Sequence, residues 1–207
     1  MKSVCLIVPV VAVAALTTLA AAQTPQMGGP MKHVMVSFDS MSNSLMAMVD
    51  PMVPTPVMQN YGDTYTGNAS VLNGTMYNAQ YGWMVEGFWA PPSGSFLWIE
   101  QLSATPGLLA YSGGTMMNQG TFAPIFGTAG SSSRIQWNGG MLHNWYAATT
   151  PGDYIATYRV YFGDASGVAT PGYMEGGAML NWTAVPAPGA AAVLGLGGLL
   201  VMRRRRA

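Results

Sequence analysis

The chain has 207 residues, long enough to bury a normal core, and its formal charge is zero, from eight Lys and Arg against eight Asp and Glu. That balance hides an asymmetry: Lys2, Arg203, Arg204, Arg205 and Arg206 lie at the two ends, so residues 23–184 keep three basic residues, Lys32, Arg134 and Arg159, against all eight acids, a net charge of −5. Such a surface lacks the basic patch that nucleic acid or anionic lipid requires, which excludes both as partners of the body.

Lys2 precedes an apolar stretch over residues 4–19 and the small-residue run Ala20, Ala21 and Ala22, the pattern of a secretory signal peptide cut before Gln23. Residues 1–22 therefore read as the signal, with export through the Sec translocon and removal by signal peptidase. Cys5, the only cysteine, falls inside it, so the mature chain has no thiol, disulfide or cysteine-held metal.

Residues 23–184 form one domain by length, rich in Gly, Pro, Asn, Ser, Thr and aromatics and poor in helix formers. Residues 23–30 read as a flexible leader. Strands are predicted at 33–38 and 45–50, joined as a hairpin by 39–44. Pro51, Pro54 and Pro56 make the next stretch edge or loop, with short strands near 57–61 and 75–77. The clearest pair is 81–89 with 96–102, joined by APPSGS. On its first arm, alternation puts Tyr81, Trp83, Val85 and Trp89 on one face and Met84, Glu86 and Phe88 on the other.

Weaker strands are predicted at 108–111 and 121–126, around a Ser112-Gly113-Gly114 turn. A second hairpin joins 134–137 to 141–146 through Asn138, Gly139 and Gly140. After a Pro-Gly turn, Tyr154, Ala156, Tyr158 and Val160 share one face of a strand. This segment resembles the penultimate strand of Ig-like sandwiches, in which a tyrosine anchors the corner through its hydroxyl, the place Tyr154 takes. A last strand is predicted at 178–183. Turn signals every 8 to 12 residues or so point to an all-β, antiparallel β-sandwich, jelly-roll or Ig-like, with the choice open.

Chemistry-bearing groups are sparse. If Trp89 pairs with Leu97, Glu86 and Glu100 face each other about 5 Å apart, the separation of a retaining glycosidase. A one-residue slip would part them. Trp83, Trp89 and Trp98 are the candidates for stacking on sugar rings, and core filling is the competing role. Asp63, Asp153 and Asp164 sit in Gly-bounded turns and read as turn caps, without the converging oxygens calcium needs. His33 and His143 lack zinc-ligand spacing, and no nucleophile elbow or phosphate loop is present. No metal or cofactor is expected. Met46, Met48, Met116 and Met117 read as adaptable core filler.

The tail is the most specific stretch. Val185, Pro186, Ala187, Pro188 and Gly189 precede an apolar run over residues 190–202 and then the four arginines. Thirteen helical residues span roughly 20 Å against a hydrocarbon core of about 30 Å, so the run can dwell in a membrane but holds weakly. The arginines favour the cytoplasmic side and leave everything before Val185 outside. This order resembles the PEP-CTERM sorting signal, with Ala187 where that family usually has Glu. The resemblance implies recognition by an exosortase-type enzyme, transient membrane association, and a place in the cell envelope or extracellular matrix beside exopolysaccharide. The expected function is a secreted, non-enzymatic envelope protein. A carbohydrate-binding module and a glycoside-active enzyme using Glu86 and Glu100 are the alternatives.

Overall fold

The computed structural model describes residues 24–115 and 118–186, and the protein is all-β. Its strands are β1 (Lys32–Asp39), β2 (Ser44–Val49), β3 (Val57–Gln59), β4 (Met76–Asn78), β5 (Tyr81–Val85), β6 (Phe96–Ala104), β7 (Leu109–Gly114), β8 (Arg134–Trp137), β9 (Leu142–Ala148), β10 (Gly152–Gly163) and β11 (Gly176–Val185). Two short 3-10 turns, Gly67–Leu72 and Thr128–Gly130, interrupt them. Among the described residues no helix is long and apolar enough to cross a membrane. The signal peptide and the tail from Ala187 onward, with Pro188, Gly189 and Arg203 to Arg206, lie outside the described residues. Val185, the first residue of the tail motif, is the last rung of β11, paired with Gln59.

The strands form one hydrogen-bonded sheet in the order β2-β1-β5-β9-β4-β3-β11-β10-β6-β8, with β7 bonded to β9 beside this path. It is not purely antiparallel, because β1 with β5 and β11 with β3 run parallel. Both parallel pairs are separated by enough chain for a crossover, which a tight hairpin cannot supply. The sheet bends back on itself so that its apolar faces meet. Trp83 of β5 packs edge-on against Tyr158 of β10 at 5.6 Å, and Tyr146 of β9 lies 4.5 Å from Trp182 of β11. Closure brings β2 beside the start of β11, where the Leu45 amide donates to Met174 O at 2.9 Å.

The opening hairpin forms as expected between β1 and β2. The other two expected hairpins do not. β5 bonds to β1 and β9, whereas β6 bonds to β10 and β8. Likewise β8 and β9 lie in different parts of the sheet. The physical reason is in the connections. Beyond Val85 the chain passes through Gly87 at φ 85° and the paired prolines Pro91 and Pro92, which cannot donate to a ladder, so it leaves one part of the sheet and enters the other. The Asn138–Gly140 turn forms, with Gly140 N donating to Asn138 Oδ1 at 3.0 Å, but it redirects the chain and closes no hairpin.

Three local expectations are corrected. Gly113 and Gly114 belong to β7 and make no turn; a Cβ on Gly113 would lie 1.4 Å from His143 O, so the glycine serves a close backbone approach. Residues 121–126 form no strand. Phe122 and Phe126 take φ of 56° and 53°, outside the β region, and turn their rings into the core from a loop. The leader is docked: Ala79 N donates to Met27 O at 2.9 Å, Gln119 Nε2 to Pro25 O at 2.9 Å, and Gln80 Nε2 to Pro30 O at 2.7 Å.

That docking completes a bulge. Register with β9 shifts by one residue between β4 and β5, which reverses the facing of the side chains beyond it. Tyr77 therefore joins Tyr65, Leu72, Phe122 and Trp145 in a second cluster on the outer face, while Tyr81 and Trp83 enter the main core. At the far corner the Tyr154 hydroxyl donates to Thr150 O at 2.8 Å, as the corner-tyrosine resemblance implies.

Gly113→Ala is expected to cost about 4 kcal/mol or more, or to prevent folding, because the new methyl meets rigid backbone. Gly177→Ala, where the nearest atom is 4.0 Å away, should stay within about 1 kcal/mol of the parent. Urea denaturation of the two variants checks both.

Candidate functional site

The two glutamates expected to face each other do not, since their strands do not pair. Glu86 is exposed, one residue past β5. Glu100 on β6 is engaged elsewhere: its Oε2 accepts from Arg159 Nε at 2.9 Å and Nη2 at 2.7 Å, and its Oε1 accepts from the Ser133 hydroxyl at 3.2 Å. Arg159 also donates to Glu175 at 2.8 Å and lies over the Tyr161 ring at 4.7 Å. The hydrogen bonds it donates to Glu100 hold the guanidinium pKa above its ordinary value. A glycosidase pair needs two carboxylates free to meet one sugar, and Glu100 is bound to a cation.

The three tryptophans do not form a common platform. Trp83 is fully buried and packs edge-on against Trp137 and Tyr158. Trp98 is 9% exposed, donates from Nε1 to Asp164 O at 3.0 Å, and has Arg134 over its ring at 5.9 Å. Strand alternation sends Trp83 inward, whereas Trp98 alternates with the core residues Leu97 and Ile99 and lies on the outer face, covered by Arg134 and the Asp164 turn. Trp89 differs. It sits in the connection after β5, half-buried, with Nε1 donating to Glu86 O at 2.9 Å and its ring against Phe38 and Phe162.

Trp89 lines a cleft of about 230 Å³ where the 86–95 connection passes the turn after β8. Val85, Phe96 and Trp137 supply apolar wall, and Gln136 and Asn138 supply amides. No lining residue is ionisable at neutral pH. The arrangement offers stacking and neutral hydrogen bonds, and its one hydroxyl, Ser95 Oγ, is bonded to Thr170 Oγ1 at 2.8 Å. A second hollow of about 190 Å³, lined by Pro30, Val53, Pro54 and Val57, carries no aromatic ring.

Asp164 caps its turn as expected, accepting from Ser166 N at 2.8 Å and Val168 N at 3.0 Å, and the Ser166 hydroxyl foremost lowers its pKa. Asp153 instead accepts from Thr183 across β10 and β11 at 2.8 Å, and Asp63 accepts from the Tyr65 hydroxyl at 3.2 Å. Among the described residues no three His, Cys, Asp or Glu side chains gather as a metal site. Met46 and Met48 are correctly placed on β2 but on its outer face, 54% and 52% exposed, so they do not fill the core.

The histidines form a constellation that spacing did not reveal. Register pairs His33 and His143 to the two sides of Gly82. His143 is buried, its Nδ1 lies 3.0 Å from Ala79 O, and its Nε2 has no hydrogen-bond partner among the described residues. Burial, followed by the nearby His33, holds the His143 pKa below its ordinary value despite the opposing backbone contacts of Ala79 and Tyr81. The signal in the sequence was Gly82 itself, a glycine inside an otherwise bulky strand. No family model and no curated protein matches the chain.

Because the folded chain keeps His143 neutral where the unfolded chain protonates it, acid favours unfolding. Stability is expected to fall as pH drops below 6.5, by at most about 1.4 kcal/mol per pH unit. Thermal melts should show this slope between about pH 6.5 and 5, where the carboxylates remain ionised, and His143→Gln should flatten it.

Proposed function

We propose that the chain is an exported protein of the cell envelope or extracellular matrix, sorted and processed through its C-terminal signal and without catalytic activity. The observation that carries this reading is the ordered tail. The Pro-Ala-Pro motif keeps the backbone extended where an exosortase-type enzyme reaches it, the short apolar run gives a transient hold in the membrane, and the arginines set its direction. The Sec translocon and signal peptidase deliver the chain, and exopolysaccharide is its expected surrounding. We read the fold as a sandwich of the jelly-roll or Ig-like kind, supported by the inward aromatic layer and the Tyr154 corner. Deleting Arg203 to Arg206 is expected to misroute the protein or leave it unprocessed in its native host. Fractionation with mass spectrometry of the C-terminus checks this, and unchanged location and processing would refute it.

The cleft favours a second reading, in which the body binds a neutral glycan. A half-buried indole, a phenyl ring and two amides without a charged neighbour suit a sugar face and its hydroxyls, and about 230 Å³ suits a single ring better than a large cofactor. Trp89→Ala should reduce affinity for a bound polysaccharide by about tenfold or more, with an unchanged circular dichroism spectrum. Calorimetry and glycan arrays test this, and absence of binding to any polysaccharide removes the reading.

A further inference from the structure

The outer face of β2, β1, β5 and β9 carries sulfur and imidazole groups that neither the core nor the cleft uses. Alternation turns Val34, Val36 and Trp83 inward, so His33, Met35 and Met84 face outward with Met48. Pairing arranges them in two adjacent rows. Met48, Met35 and Met84 occupy opposed positions on three neighbouring strands, and His33, Gly82 and His143 occupy the next row along. Opposed positions lie about 5 Å apart and successive rows about 6.6 Å, distances that a three-torsion thioether and an imidazole can span.

Within the second row, the missing side chain of Gly82 decides the geometry. His143 lies over it: a Cβ there would come within 2.6 Å of the His143 Cε1 and 2.9 Å of Nε2. The ring nitrogen facing Ala79 O takes the proton as the donor of that contact, which leaves the lone pair on Nε2. That lone pair is buried, without a partner among the described residues, and lies beside Gly82, whose other neighbour in the row is His33. Leaving such an acceptor unsatisfied costs about 1–3 kcal/mol, whereas a cation would satisfy it. A carbonyl on the far ring nitrogen is also the support that orients metal-ligating histidines.

We propose that this face binds one Cu(I) ion through Nε2 of His143, the imidazole of His33 and the thioether sulfurs of Met35 and Met84. Thioethers are soft ligands that select Cu(I), and imidazole suits the same metal. Calcium and magnesium require oxygen donors, which this set does not contain. Asp50, which adjoins His33, directs its Oδ1 to Met52 N at 2.8 Å. The site is separate from the cleft and from the tail, and it stands whatever becomes of either reading.

Anaerobic titration of the purified full chain with Cu(I), in competition with the chromogenic chelator bicinchoninate, tests the site. The expected result is one Cu(I) per chain, with nitrogen and sulfur together in its X-ray absorption shell. His33→Ala and the double variant Met35→Leu with Met84→Leu change only partly exposed positions, so both should keep the parent circular dichroism spectrum and weaken Cu(I) by about tenfold or more. Met46→Leu, one row beyond Met48, should leave the affinity unchanged. No Cu(I) retained against the chelator would overturn the proposal. So would unchanged affinity in the folded His33 and methionine variants, or a metal shell of sulfur alone.

Discussion

The layer of aromatic rings between the two limbs of the bent sheet is the constraint on which the rest depends. Tyr81 meets Trp182 at 5.1 Å and 82°, Trp83 meets Tyr158 at 5.6 Å and 74°, and Phe38 meets Phe162 at 5.3 Å and 76°. Each such edge-on pair contributes about 0.5–1.5 kcal/mol beyond the burial of its area. The rings come from strands that are not neighbours in the hydrogen-bonding order, so their contact, with the backbone bonds between Met174 and the start of β2, closes the sheet. The body has no cysteine, so ring packing and not a disulfide joins the two limbs.

Closure also places the site. Once Trp83 is anchored inside, the chain leaving β5 must climb out through residues 86–95 before it can begin β6, and the chain leaving β8 must turn sharply to begin β9. Trp89 rides on the first connection and Asn138 on the second, and the cleft is the space between them. The body's two arginines are absorbed elsewhere. Arg159 is held by Glu100 and Glu175, and Arg134 is held by the carbonyls of Gly167 and Ser166 while lying over Trp98. The lining of the cleft therefore stays uncharged.

The bulge between β4 and β5 links the leader, the second cluster and the histidines. One added residue turns Tyr77 outward and Tyr81 inward although both are odd-numbered positions four apart. Its freed polar groups are met by Met27 and Pro30 from the leader and by the Asn78 and Gln80 side chains, which bond each other at 2.6 Å. Ala79 O, exposed by the same irregularity, is the partner of His143 Nδ1. A local fault in strand register thereby orients an imidazole on the outer face.

The amino-acid pattern alone determined the β class, the opening hairpin, the alternation of β10 and the corner role of Tyr154, because each follows from neighbours along the chain: period-two burial, turn residues, and one hydroxyl reaching four residues back. It determined the ordered tail as well. Only the tertiary structure decided which strands pair, and with that the separation of Glu86 from Glu100, the burial of Trp83 and Trp98, and the meeting of His33 with His143 across Gly82. Alternation tells a strand which face to bury and is silent about which edge it bonds. Pairing is chosen by packing between residues far apart in the chain, and a single bulge reverses every face beyond it.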